Sequence, residues 1–328
     1  MRSWAASNSA VPRVIGPKTL IYGGGVDGIG VTSYLPKVYL VVFGSQWGNA
    51  GTDSNGNMTF SGDPKGVAPR LQQLFKGLGT AGELWSGTMT QYCDGPLVAH
   101  GATSCPPEAP HVRYPRKGVL AGVWYDNSGP SPAAANGNQL ANEAIRAAAH
   151  FGNTTAFSNR YSQYVILSPT GTDPDDYMLD GFCAWHDYNG DTSLTGGPAA
   201  SSYGDIAFTN LPYITDVGDC GANFVNGGTA GALDGVTIVA GHEYAETVTD
   251  QNPLGGWSNY TTGTGENADE CAWIPPGQAG GAANVTMGNG AYAMQSTWSN
   301  DTNACAISHP VVTRLPAALG PVADLLLH

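Results

Sequence analysis

The residues most able to do chemistry lie in one acidic stretch, 242–271. His242 and Glu246 are four residues apart, so on a helix their side chains share one face, and Glu243 directly follows the histidine. Imidazole and carboxylate groups bind divalent metals, and a neighbouring carboxylate can take a proton from water. We therefore predict a metal-dependent hydrolase site in which His242 and Glu246 are ligands and Glu243 is the general base. Glu266, 20 residues beyond Glu246, is the candidate for the third ligand.

The ion predicted from these donors is Zn²⁺. A catalytic zinc has three protein ligands and one open position, and it lowers the pKa of water to about 7. Two carboxylates and one imidazole would neutralise a divalent ion and leave the site open to harder metals. A surface helix with solvated glutamates is the alternative interpretation. The apolar run at 236–240, directly before His242, argues against it because such a run is typical of a buried helix.

Three more residues are candidates for the same site. His186 lies in the segment 181–188 and could be an alternative third ligand, or could donate to the oxyanion formed during hydrolysis. A half-buried structural histidine is the alternative. Asp250 and Asp269 could orient His242 or the ligand loop, whereas capping a turn is the alternative role for each.

Two loops, 53–59 and 187–193, place side-chain oxygens at alternate positions. Calcium takes six to eight oxygen ligands, so Ca²⁺ is a second candidate ion. Neither loop has the glycine placement or the terminal glutamate of an EF-hand, and ordinary Asn-Gly turns are the alternative interpretation.

The composition favours a secreted, extracellular protein. Of the 328 residues, 12% are charged and 46 are glycine, a profile typical of a rigid, loop-rich chain. Six widely spaced cysteines without a CxxC pair indicate three disulfides. We predict the sequential pairing, Cys93–Cys105, Cys183–Cys220 and Cys271–Cys305.

The net charge of −13 argues against nucleic acid and against an anionic membrane surface as partners, because no basic stripe is present. No apolar run reaches about 18 residues, so no transmembrane helix is predicted. No signal peptide is visible, and the start resembles a mature chain with an added methionine. We expect a monomer that acts on a protein or peptide.

The periodicity of apolar residues predicts alternating strands and helices. Strands are expected at 36–43, 119–124 and 164–167, an edge hairpin at 205–214, and helices at 67–78, 138–151 and about 233–250. This order predicts an α/β fold: a zincin-like mixed sheet with a metal-binding helix and a loop-rich C-terminal lobe. The domain plan is an extended segment at 1–34, a single catalytic domain at 35–310 with a third-ligand loop at 255–271, and a tail at 311–328.

Several short segments, taken together, resemble the EXORDIUM, or phosphate-induced, family of secreted proteins and its bacterial relatives; they are 21–25, 38–47, 181–186, 242–250 and 266–271. The resemblance implies secretion and one disulfide-bonded domain. The helix around His242 and the downstream Glu266 also resemble thermolysin-like zinc peptidases, which implies that Glu266 is the third ligand and that the reaction is peptide hydrolysis. Glu246 stands where those enzymes have a second histidine.

The function expected from these observations is that of a secreted metal-dependent endopeptidase. One alternative is a non-enzymatic extracellular binding or signalling protein in which the same residues hold a structural ion. Another is a metal-free acid carboxyl peptidase, for which the acidic residues at 173–180 are candidates. Serine chemistry has little support because no GxSxG motif occurs.

Overall fold

The computed structural model describes residues 18–259 and 265–313. Predictions for 1–17, 260–264 and 314–328 lie outside the described residues. They include half of the extended N-terminal segment, part of the third-ligand loop and most of the C-terminal tail.

Thirteen strands and five helices are formed by the described residues. The strands are β1 (Ile21–Tyr22), β2 (Lys37–Phe43), β3 (Ala50–Thr52), β4 (Met58–Phe60), β5 (Leu120–Asp126), β6 (Ser162–Leu167), β7 (Trp185–Tyr188), β8 (Ala207–Leu211), β9 (Trp257–Ser258), β10 (Ala283–Met287), β11 (Gly290–Met294), β12 (Thr297–Ser299) and β13 (Ala304–Ala306). The helices are α1 (Val67–Gly77), α2 (Gly137–His150), α3 (Ala156–Asn159), α4 (Tyr177–Asp180) and α5 (Asp234–Thr249).

Five strands form the central sheet, in the order β5-β2-β6-β8-β7. The first four run parallel to their neighbours, and the edge strand β7 runs antiparallel to β8. The remaining strands make two-stranded antiparallel pairs, β1 with β9, β3 with β4, β10 with β11 and β12 with β13. The mixed sheet and the alternation of strands with helices confirm the predicted α/β class.

Side-chain alternation on the strands separates two cores. Val38 and Leu40 of β2 belong to the larger core, which also contains apolar residues of α1 and α5. Tyr39 and Val41 of the same strand belong to the second core, which is formed with α2. The helices α5 and α2 therefore cover opposite faces of the sheet.

Helix α5 is buried along its whole length. Its first turns are apolar, and its second half carries the ionisable residues of the predicted site. The Thr237 hydroxyl donates to the carbonyl of Ala293 in β11 (2.7 Å), and so the helix lies between the sheet and the β10–β11 hairpin. A helix buried on all sides places charged side chains where water cannot compensate them.

The three disulfides are Cys93–Cys105, Cys183–Cys220 and Cys271–Cys305, which confirms the predicted pairing. They include all six cysteines of the chain. Within the described ranges, no helix has both the length and the apolar character needed to cross a membrane.

The predicted edge hairpin at 205–214 is wrong. This segment forms the single strand β8, which lies inside the sheet between β6 and β7. Pro212 follows the strand directly and lacks the N–H that would continue the ladder, so the strand ends at Leu211. The edge strand on this side of the sheet is β7, whose sequence is too polar to show a strand pattern although all four residues are buried.

Candidate metal centre

Three parts of the chain meet at the C-terminal half of α5. Strand β7 contributes His186, the helix itself contributes three residues, and the segment after β9 contributes the rest. The ionisable residues brought together, all buried, are His186, His242, Glu243, Glu246, Asp250 and Glu266, with Asp269 beside them. The helical spacing of four puts His242 and Glu246 on one face, as the sequence predicts.

A glutamine sets the orientation of the His242 ring. Gln295 Nε2 donates to the carbonyls of Ala268 (2.8 Å) and Ser296 (3.2 Å), so its Oε1 is the atom that accepts. His242 Nδ1 lies 3.0 Å from that oxygen and must therefore carry the proton. The other ring nitrogen, Nε2, faces Glu246 Oε1 at 3.0 Å and Asp269 Oδ1 at 3.5 Å.

The ring of His186 is oriented in an equivalent way by a backbone carbonyl. Its Nε2 lies 3.0 Å from the carbonyl oxygen of Asp250, which can only accept, so Nε2 carries a proton. Glu266 Oε1 lies 3.5 Å from the same nitrogen. The second nitrogen, Nδ1, faces Glu243 Oε2 at 3.6 Å and Glu246 Oε2 at 3.7 Å.

Glu246 lies between the two histidines. Its Oε1 faces His242 and also accepts the backbone N–H of Asp269 (3.1 Å), while its Oε2 faces His186. Two sets of donor atoms, each within 4.8 Å of one another, result: His186–Glu243–Glu246 and His242–Glu246–Asp269. Each set has one imidazole and two carboxylates, a combination that suits divalent transition metals.

Burial and mutual repulsion dominate the electrostatics of these groups. Burial raises the pKa of Glu243, and burial together with Glu246, Asp250 and Asp269 raises that of Glu266 well above its usual value, although His186 opposes both shifts. Burial also acts on Glu246, but the two histidines lower its pKa to about 2. The site therefore attracts positive charge, whether as protons or as metal ions.

Glu243 has an unusual environment for a buried carboxylate. Among the described residues neither of its oxygens has a hydrogen-bond partner, and its contact with His186 is too long for a hydrogen bond. Buried polar atoms of this kind are rare, and each needs an explanation such as a bound ion or water. The donor chemistry and this orphaned carboxylate both fit a metal ion.

The structure brings the predicted residues together but changes the neighbours of two of them. Glu266 lies beside His186, and Asp269, predicted as a supporting residue, is the carboxylate next to His242 Nε2. Asp250 supports His186 through its carbonyl, while its carboxylate accepts the backbone N–H groups of Leu254 and Gly256.

Sequence reasoning missed two glutamines. Gln295 orients His242, and Gln163 joins β6 to α5 by donating to the Thr247 hydroxyl (2.7 Å) and the Glu243 carbonyl (3.3 Å). Gln163 lies in the buried strand β6, and Gln295 directly follows β11, whose last three residues are buried and apolar. A lone amide in such a run indicates a specific buried partner, because an unsatisfied amide is costly there.

The other sequence candidates are engaged in turns or bonds. Asp53 Oδ1 accepts the N–H groups of Asn55 (2.8 Å) and Asn57 (2.9 Å), and Asp191 Oδ1 accepts that of Ser193 (2.6 Å). These are the contacts of Asx turns. In the acidic segment 173–180, Asp173 Oδ1 accepts the N–H of Met178 (2.9 Å).

A third cluster of donors, Cys93, Cys105 and His111, also lies within metal-binding distance. Both cysteines are joined in a disulfide and so offer no thiolate.

Comparison with known proteins gave no match: no protein-family model, curated protein or solved structure is detectably similar to this chain. The assignment of function therefore rests on the geometry of the site and on the chemistry of its residues.

Proposed function

We propose that the protein is a secreted, zinc-dependent endopeptidase with its ion at His242, Glu246 and Asp269. The observation that carries this proposal is the fixed orientation of the His242 ring. Because the Nδ1 proton is donated to Gln295, Nε2 is the nitrogen that faces two carboxylate oxygens. Against the effect of burial, these carboxylates raise the pKa of His242 well above its usual value and so favour a proton on Nε2 in the metal-free protein. A divalent ion at the same place would displace that proton, and these donors are zinc ligands. Glu266 is the alternative third ligand.

A divalent ion held by these residues would act as a Lewis acid, lowering the pKa of a water molecule and polarising the scissile carbonyl. Glu243, one residue from His242, accepts the proton of the attacking water and returns it to the leaving amine. Burial favours this role because it raises the pKa of Glu243 toward the working pH of a general base. With a single ion bound, His186 would stabilise the oxyanion through a proton on Nδ1, because its Nε2 proton is donated to the Asp250 carbonyl.

The fold supports the zincin-like part of the proposal. The mixed sheet has one antiparallel edge strand, β7, and the helix with the HExxE residues packs on the sheet directly behind it. Secretion is supported by three disulfides and the absence of free cysteines, since such bonds persist in oxidising compartments. Peptides are proposed as substrates from the resemblance to zinc peptidases.

The test is elemental analysis of the purified protein combined with casein hydrolysis before and after chelation. Glu243→Gln should abolish hydrolysis while the fold and the ion held by His242, Glu246 and Asp269 are retained. Glu143→Gln is the matched control, because Glu143 is also a buried helical glutamate but lies on α2, across the sheet. Hydrolysis that survives removal of the metal would overturn the zinc mechanism and favour a carboxyl peptidase.

One observation favours a second function, that of an extracellular binding protein with a structural ion. Apart from Asp269, the ionisable residues of the metal centre are at most 4% exposed, and Glu243 is only 1% exposed. A structural ion is enclosed by protein, whereas a catalytic ion needs an open position. Stoichiometric metal with no hydrolysis of casein or of a random peptide library would support this alternative.

A further inference from the structure

A second set of donors lies directly beside the proposed ion. His186 Nδ1, Glu243 Oε2 and Glu246 Oε2 approach within 4.8 Å of one another, and all three residues are buried. The two sets share Glu246, which presents a different oxygen to each histidine. This is the arrangement of a bridging carboxylate.

The distances in the second set are those of ligands rather than of hydrogen bonds. His186 Nδ1 is 3.6 Å from Glu243 and 3.7 Å from Glu246, too far for a proton to join the pairs. Two ligands on a tetrahedral zinc, each about 2.1 Å from the metal, are about 3.4 Å apart. The spacing therefore leaves room for an ion at the centre of the three atoms.

The ring of His186 is oriented as a metal requires. Its Nε2 proton is donated to the Asp250 carbonyl, so Nδ1 is the nitrogen available to bind an ion, and it faces Glu243 and Glu246. A backbone carbonyl that holds the distal N–H is a common support for a metal-binding histidine.

The charges around the site also favour a second cation. In the described part of the chain no lysine or arginine forms an ion pair with Glu243, Glu246 or Glu266. A single divalent ion held by His242, Glu246 and Asp269 would leave both oxygens of Glu243 without a hydrogen-bond partner among the described residues. The orphaned oxygens of Glu243 are the atoms that a second cation would satisfy.

We propose that the site binds two divalent transition-metal ions bridged by Glu246, the second held by His186, Glu243 and Glu246. This inference rests on the proposed function for the first ion and extends it to a two-metal centre. Glu243 would contribute Oε2 as a ligand and keep Oε1 as the proton acceptor. Two-metal sites place their ions about 3.5–4 Å apart, where they stabilise both the attacking and the leaving atoms.

The experiment is a zinc titration of the metal-stripped protein, followed by elemental analysis after gel filtration. The wild type should retain two ions per chain, and His186→Gln should retain one. His111→Gln is the matched control, since His111 is a buried histidine with a carbonyl partner at Nδ1, and it should retain two.

The outcomes separate the two proposals. One ion in the wild type, unchanged in His186→Gln, would overturn the second site and leave the proposed function intact. No ion in the wild type would overturn both. If the variant does not fold, anomalous diffraction from zinc-loaded wild-type crystals decides: two peaks, one on each side of the Glu246 carboxylate, are expected, and a single peak would overturn the inference.

Discussion

Two buried carboxylate clusters lie on opposite faces of the sheet and are neutralised differently. On the α2 face, Arg146 contacts Asp126 (2.6 Å) and Glu143 (2.8 Å). On the α5 face, the only described ion-pair partners of Glu243 and Glu246 are histidines.

The difference shows what each cluster is built to do. On the α2 face, burial raises the pKa of Glu143 to about 8 despite Arg146, so one proton and one guanidinium neutralise the pair at neutral pH. That cluster is neutralised without a ligand, which indicates a structural role. On the α5 face the described residues offer histidines but no lysine or arginine to Glu243, Glu246 and Glu266, a set of donors that the proposed metal ions would neutralise. Burial raises the pKa of Glu243 and Glu266, so a bound ion would displace protons from these groups.

The largest expected effect on metal binding comes from Glu246, the residue that the two proposed ions would share. Glu246→Gln should remove both ions and abolish hydrolysis, because the amide keeps the shape of the carboxylate but loses its charge. Glu143→Gln on the other face should leave the metal content unchanged. Elemental analysis of the two variants is the measurement. Retention of a full metal complement by Glu246→Gln would contradict the bridging role.

The contribution of the α2 cluster to the free energy of unfolding should depend on pH. The folded-state pKa of Glu143, about 8, lies above the ordinary value of 4.5, so the folded protein holds a proton that the unfolded chain releases. This contribution to stability is complete below about pH 4.5 and is lost as the pH rises to about 8, at up to about 1.4 kcal/mol per pKa unit.

Urea unfolding at about pH 5 and about pH 9 checks this. The wild type should lose stability between the two values, and Glu143→Gln should lose less because its side chain does not titrate. Equal losses in the two proteins would show that Glu143 is ionised throughout or that its proton is not linked to folding. Both proteins should be compared with the metal bound, so that the α5 cluster contributes equally.

Chelation should destabilise the protein through the α5 cluster alone. A ligand that binds only the folded state adds about 2.7 kcal/mol at a free concentration one hundred times its dissociation constant. We therefore expect a clear fall in the melting temperature when zinc is removed and a recovery when zinc is returned. In Glu246→Gln the chelator should have no further effect. A melting temperature that chelation does not change would indicate that no ion stabilises this face.

The smallest effect is expected at the residue that orients a ligand. Gln295→Leu removes the acceptor for the Nδ1 proton of His242 and should weaken zinc binding about 10- to 100-fold, the usual effect of losing such support. Gln295→Glu keeps an acceptor and should largely restore affinity. Competition with a chromogenic chelator measures both variants. Unchanged affinity in Gln295→Leu would assign the ring orientation to packing instead.

Local features of this protein were predictable from the sequence. The helix around His242 and the shared face of His242 and Glu246 follow from periodicity, which depends only on neighbouring residues. The disulfides also followed a near-neighbour rule, with separations of 12, 37 and 34 residues. Strand β2 and helices α1 and α2 were predicted within one or two residues because their apolar patterns are strong.

Only the tertiary structure decided how the site is completed. The placement of His186 against Glu246 depends on β7 pairing with β8 at the edge of the sheet, and no local pattern encodes that pairing. Glu266 lies beside His186, and Asp269 lies beside His242. These positions, and the contact of Gln295 with His242, depend on where distant segments of the chain pack against α5. Helical periodicity is a property of adjacent residues, whereas a metal centre is a convergence of distant ones, so the sequence determined the helix and the packing determined the site.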